Sequence, residues 1–280
     1  MSINRPKRYA IVRSYHQQTK HYSHRYARSP GYLDWDNQPL PYRLFEGAPR
    51  IQLPLAEKDR DLAYSALYEA IEGSPDSISI KSISNMLELS MGLSAWKKYG
   101  ASEWALRMNP SSGNLHPTEC YLVLPDLARQ KACVTHYNPY LHALEVRALL
   151  DRSQALWLES CGGFGIILTS IPWREAWKYG ERAFRYCQHD LGHALGALRY
   201  SCNLNGWKMT LIPQISEKTL EHFLGFDQLR WVDGEAEHVD CLCWVESKHY
   251  DSKAISEWFS LQQNLTYQHS PNRLSPEHAN

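Results

Sequence analysis

The sequence predicts an α+β domain, and three observations predict it. Helix-like and strand-like stretches interleave along the chain instead of falling into separate blocks. "VTHYNPYLHALEVRAL" sets two strand-like runs on either side of Asn138-Pro139, which reads as a hairpin. Between about Arg174 and Asn205, Phe184, Cys187, Leu191, Ala194 or Leu195, Leu198 and Cys202 recur at steps of three and four. That is the period of one long helix, and Asn205-Gly206 supplies its stop.

The remaining elements follow in chain order. Residues 1–30 hold Arg5, Lys7, Arg8, Arg13, Lys20, Arg25 and Arg28 with no acid, and His16, His21 and His24 sit among them. Two readings stand: a solvated basic arm, or an arm that binds phosphate or a partner. Residues 30–55 carry five prolines, so they are extended, and Tyr32, Trp35, Tyr42 and Phe45 dock them on a surface. Residues 1–58 are therefore taken as an extended basic and aromatic arm, 59–248 as the domain, and 249–280 as a polar tail or linker. Helices are expected over about 60–71 and from about Ser82, the latter with Ile83, Leu87 and Ser90 or Met91 on one stripe and Gly92 closing it. Cys120–Leu124 reads as a strand, a helix is expected near 148–160, "GFGIILTS" is a buried strand, and "WKMTLIP" and "VDCLCWVE" finish the sheet. Gly162, Gly163 and Gly165 do not make a dinucleotide loop, because they precede or interrupt the strand that the motif should follow.

Composition excludes several classes. Lysine plus arginine equals aspartate plus glutamate, 30 each, so the chain is no uniformly basic nucleic-acid binder. Seven irregularly spaced cysteines contain no CxxC; Cys241 and Cys243 fall on one strand face, and reduced thiols in a cytoplasmic setting are expected. No apolar run reaches the roughly 18 residues of a membrane span, and no secretory signal opens the chain. His189 and His193 lie four apart on the long helix, but no third ligand accompanies them, so no metal is expected.

The informative stretch is "RMNPSSGNLHPTECYLVL". Glycine lets a backbone approach a flat ligand, and serine hydroxyls, backbone N–H groups and an asparagine amide suit the polar edge of a heterocycle. A self-bonded turn is the other reading of the same residues.

Pro110-Ser111-Ser112-Gly113-Asn114-Leu115-His116-Pro117 resembles the loop of nitroreductase-fold flavoproteins, and "LRMNPSSGNLHPTECYLVL" resembles the corresponding segment of SagB/ThcOx-type dehydrogenases. A second motif, "WKYGERAFRYCQHDLGHALGALRYSCNLNGW", is similar to the lysine-tyrosine-glycine and glycine-histidine helix of the same proteins. The leader and the closing "PNRLSPEH" resemble parts of tandem members, of which this chain would be the N-terminal half. The resemblance implies a mainly antiparallel central sheet flanked by helices, with a long buried central helix, and FMN as cofactor. It implies that Pro110, Ser111, Ser112, Gly113 and Asn114 line the ring edge, and that Arg107 and Arg185 add positive charge around the cofactor. Lys178 and Tyr179 would act in proton transfer, Lys178 as a base aided by Arg182 and Arg185, or else Lys178 is a solvated helix-start residue. The implied function is an FMN-dependent dehydrogenase of azoline-like peptide heterocycles or another small substrate, working as a homodimer or paired with a second nitroreductase-like domain. One feature runs against it: "YSALYEAIEGSPDSISIKS", where such proteins place phosphate-binding arginines, has only Lys81, and the last strand is followed only by Lys248. A flavin-free domain serving dimerisation or scaffolding is the alternative.

Overall fold

The computed structural model describes residues 5–58, 63–68, 74–128, 130–246, 250–262 and 265–277. The elements are α1 (Arg5–Thr19), β1 (Arg50–Gln52), α2 (Ile80–Glu88), β2 (Leu93–Tyr99), β3 (Ser102–Arg107), β4 (Thr118–Leu124), β5 (Cys133–Asn138), β6 (Ala143–Leu149) and α3 (Arg152–Cys161). Then come β7 (Gly163–Ser170), α4 (Pro172–Tyr179), α5 (Ala183–Leu204), β8 (Lys208–Leu211), α6 (Glu217–Phe223), β9 (His238–Glu246) and α7 (Ser252–Leu261). Seven strands form one sheet in the order β1-β6-β5-β4-β7-β9-β8, and every pairing is antiparallel. This is the α+β fold the sequence predicts.

Alternation along the central strands explains why the sheet is covered on both faces. On β4, Cys120, Leu122 and Leu124 join one core with Ile83 and Leu87 of α2 and Ala194 and Leu198 of α5. Tyr121 and Val123 face a second core with Leu158 of α3, Phe223 of α6 and Ile255 and Phe259 of α7. Cys241 and Cys243 lie together on the first core, and all seven cysteines are free thiols.

Several expectations need correction. The basic segment is not extended: residues 5–19 coil into α1, which docks on the body through Tyr15, whose hydroxyl donates to the Glu181 carbonyl (2.9 Å) and accepts from the Arg185 N–H (3.1 Å). The long helix is two helices. Gly180, at φ 53° and ψ −127°, breaks it into α4 and α5, and Pro30 packs within 3.3 Å of where a Cβ on that glycine would lie. Phe184 stays exposed beside Tyr15, while Asp190 takes a place on the buried stripe. The polar tail contains α7, whose Trp258 and Phe259 are core residues. Beyond α7, the tail pairs with the arm: Leu40 N–H donates to Leu274 O (2.9 Å), and Asn272 N–H donates to Leu44 O (2.9 Å). The β2–β3 hairpin and α6 were not read from the sequence. Much of the expected helix over 60–71 lies outside the described residues, and 64–68 form a short 3-10 turn.

A row of buried charges crosses β4, β5 and β6 beneath the arm. Arg174 of α4 donates to Glu119, His116 O (2.7 Å) and Leu40 O (2.9 Å). His136 lies between Glu119 (3.0 Å) and Glu145 (3.1 Å), and Glu145 also accepts from the Phe45 N–H and Asn138. A carboxylate accepts only, so a ring flanked by two of them donates from both nitrogens and is an imidazolium. Burial works against that charge, but the hydrogen bonds to Glu119 and Glu145 carry the His136 pKa above its ordinary 6.5. Burial likewise opposes the Glu119 carboxylate, yet Arg174, His136 and Arg107 together hold its pKa down to about 2.

Two predictions follow from this packing. Phe259→Ala removes a ring 4.8 Å from Phe223 and should cost ~3–5 kcal/mol in chemical denaturation, whereas a near-neutral change would remove α7 from the core. Glu119→Gln strands the Arg174 charge and should cost ~3–5 kcal/mol. The pH dependence has a definite sign. The Glu119 contribution is present above its unfolded value of 4.5 and is lost as pH falls toward 2. The His136 contribution is present below 6.5 and is lost as pH rises through its raised folded value. Denaturation midpoints should therefore peak between those limits, and Glu119→Gln should flatten the acid limb.

Candidate active site

The sequence-predicted loop is held from below by α5. Asp190 accepts from the Ser112 N–H (3.1 Å) and the Ser112 hydroxyl (3.2 Å), and His193, three residues on, reaches the Pro110 carbonyl (3.1 Å). Ser111 Oγ accepts from the His116 N–H at 2.8 Å. The Asn114 amide donates to Ala105 O (2.9 Å) and meets His116 Nε2 at 2.8 Å. Gly113, Asn114 and His116 all have positive φ, 64°, 60° and 52°. Burial, with Arg107 and Arg174 nearby, pushes the His116 pKa down to about 2, so its ring is neutral and can share the bond with Asn114. Most of the polar side chains thus hold the loop itself, and Pro110 and Gly113 are the parts left exposed.

Gly113 is where the two motifs meet. A Cβ on it would lie 2.6 Å from the Tyr179 hydroxyl and 2.9 Å from Lys178 Nζ. Only glycine combines this backbone conformation with that approach. Lys178 and Tyr179 come from the end of α4, whose direction is fixed by Arg174 below and by the Trp177 indole N–H donating to Asp34 O (2.7 Å). Burial, with Glu175 close by, raises the Tyr179 pKa, so the phenol keeps its proton.

In front of this contact opens a cleft of about 880 Å³. One wall is Trp35 and Trp177, edge to face at 5.3 Å, with Pro39 and Pro41 of the arm. The other is Trp96 and Trp104 of the β2–β3 hairpin, and Gly113, Asn114 and Lys178 close the end. The size is that of a small-molecule site, and flat aromatic walls suit a planar guest.

The structure does not gather every expected residue here. Arg107 is buried under the loop, donating to Thr118 O (3.3 Å) and to Pro41 O, so it braces the arm. Arg185 points to α1, donating to His16 O (3.1 Å) and Thr19 Oγ1 (2.9 Å). Arg182 donates to Tyr186. Two buried acids missed in the sequence do belong: Asp190 and Glu175. Asp190 lies three residues after Cys187 and four before Ala194, and an acid on an apolar stripe was the available signal. Among the described residues no group of three or more histidines, cysteines or acids could hold a metal.

A flavin fits this site in part. The Gly113 face, the aromatic cleft and Lys178 suit its ring. At the start of α2, Lys81 is the cation present; it is exposed and 3.9 Å from Glu57, and Lys248 lies outside the described residues. The phosphate therefore has no built seat among the described residues.

No protein-family model matches the chain. The trifolitoxin-processing protein TfxB of Rhizobium leguminosarum bv. trifolii is 30% identical over 141 residues, which are 46% of this chain and 38% of that protein. A nitroreductase-like protein of Anabaena variabilis superposes with a TM-score of 0.63 at 25% identity, over 84% of this chain and 46% of that one. A second, from Ralstonia eutropha, superposes with a TM-score of 0.53 at 15% identity, over 80% and 98%. The chain spans less than half the length of the first two. No described helix is long and apolar enough to cross a membrane. These likenesses, with the all-antiparallel seven-stranded sheet, show that the chain has a nitroreductase-like fold.

Proposed function

We propose that the chain forms the active site of an FMN-dependent oxidoreductase that dehydrogenates a planar, azoline-like heterocycle in a peptide or a comparable small molecule. The observation that carries this reading is the contact of Lys178 and Tyr179 with Gly113 at the end of the aromatic cleft. FMN bound against the loop would supply the two-electron acceptor for a hydride leaving the substrate.

The chain's own residues have three tasks in this reading. Trp35, Trp96, Trp104 and Trp177 hold a flat ring by stacking and keep water from its faces. In its unprotonated form the Lys178 amine takes the carbon-bound proton, which proximity makes effective. The Tyr179 phenol, protonated at neutral pH, is the hydrogen-bond donor offered to the guest's edge beside Gly113. TfxB, named for processing trifolitoxin, supports a peptide substrate. A partner is also part of the proposal: a second copy or a second nitroreductase-like domain would bring the cations that the start of α2 lacks. The alternative, a flavin-free scaffold of the same fold, draws on that same missing charge.

Added FMN should turn the protein yellow and raise its melting temperature, since a ligand of the native state alone must stabilise it. Lys178→Ala should keep the colour and lose roughly 10²–10⁴-fold in turnover. Colourless protein with no thermal shift would leave the scaffold reading standing, and loss of colour in Lys178→Ala would make that lysine structural.

A further inference from the structure

Glu175 is the residue near the site that ordinary packing does not explain. Its side chain is completely buried, and neither carboxyl oxygen has a hydrogen-bond partner among the described residues. It lies on α4 one turn before Lys178, a spacing that sets two side chains on one helix face. From its own helix it feels Arg174, Lys178 and Tyr179, and from α5 it feels Asp190 and Cys187. Most of these are engaged or neutral. Arg174 is bound to Glu119 and two carbonyls, Asp190 is anchoring Ser112, and burial keeps Cys187 a thiol. No ion pair joins Glu175 to Lys178, whose Nζ lies instead on Gly113. A carboxylate in such a place would lose its hydration with nothing to replace it.

We propose that Glu175 is a positioning residue carried as a neutral carboxylic acid, which withholds an ion pair from Lys178 and leaves the amine directed at the cleft. Burial, with Asp190 adding to it, pushes the Glu175 pKa up to about 9, in keeping with that state. The consequence is electrostatic. Among the described residues Lys178 is the only basic one lining the cleft, and the acid one turn away does not cancel it. The Gly113 end therefore favours an electron-rich or anionic edge, while Glu103, the cleft's one acid, stands on the hairpin. This consequence rests on the function proposed above. The protonation state of Glu175 does not, and it can be read without flavin or substrate.

Glu175→Gln mimics the neutral acid and should fold. The infrared difference between wild type and variant at neutral pH should contain a protonated-carboxyl band that fades only as pH approaches 9. Stability gives a second reading. The folded state holds a proton that the unfolded chain releases near 4.5, so wild type loses stability as pH climbs from 4.5 toward 9. The melting temperature of Glu175→Gln relative to wild type should therefore rise across that range and stay level below it. Should the variant fail to fold, wild type labelled with ¹³C at its glutamate carboxyls answers by NMR. One glutamate titrating well above neutral pH supports the proposal. A Glu175 that is ionised at neutral pH, by band, melting difference or label, overturns it, whatever the FMN titration gives.

Discussion

The buried charge row from Arg174 through Glu119 and His136 to Glu145 is the constraint on which the rest of the molecule depends. Each member would be costly alone, and each is tolerable because its neighbours satisfy it. The row also fixes three pieces of chain that are far apart in sequence. Arg174 grips the Leu40 carbonyl in the arm and the His116 carbonyl in the loop, and Glu145 receives the Phe45 N–H. The arm cannot lift, the loop cannot shift and α4 cannot turn without breaking buried charge-assisted bonds. Arm, loop and α4 are three of the four segments that line the cleft.

That arrangement explains how a short loop becomes a rigid surface. From the sheet side, His116 O is bound by Arg174, and from α5 the Ser112 N–H and Pro110 carbonyl are bound by Asp190 and His193. The left-handed backbone at Gly113, Asn114 and His116 is held in place by these bonds, and Gly113 can be offered bare. The break at Gly180 belongs to the same design. A single straight helix would carry the Lys178-Tyr179 pair along the axis of α5, whereas two helices meeting at a glycine let α4 end beside Gly113 while α5 remains in the core.

The sequence made the alternating strands, the hairpin at Asn138-Pro139 and the capped α2 legible, because each is written in local periodicity. It made the site legible only through two motifs whose meeting point lies in space. What stayed hidden was tertiary. Residues 5–19 have weak apolar patterning, and their helix draws on contacts with the α4–α5 junction and α5, such as Tyr15 to Glu181 and Arg185. The α7 helix looked polar because Ser252, Lys253, Glu257 and Ser260 surround the few residues that reach the core. The carbonyl partners of the arginines were equally out of reach of the sequence. The resemblance implied Arg107 and Arg185 around the cofactor; in the structure both guanidiniums donate to backbone carbonyls.

This use of arginine bears on how the cleft works. Arg43, Arg107, Arg174 and Arg185 all bind backbone carbonyls of the arm, the tail or the loop, so these four positive charges serve as internal cement. A cleft walled by indoles and prolines, with few charges of its own, screens a remaining cation poorly. One lysine at its closed end then dominates the field there, provided that no carboxylate sits beside it. Two buried acids beside the site meet that condition by different means. Asp190 turns its charge into hydrogen bonds with Ser112, and Glu175 has no donor among the described residues. The same burial that costs stability at Glu175 is what keeps a second charge out of the Gly113 site, and a better-solvated acid at that position would undo the asymmetry of the cleft.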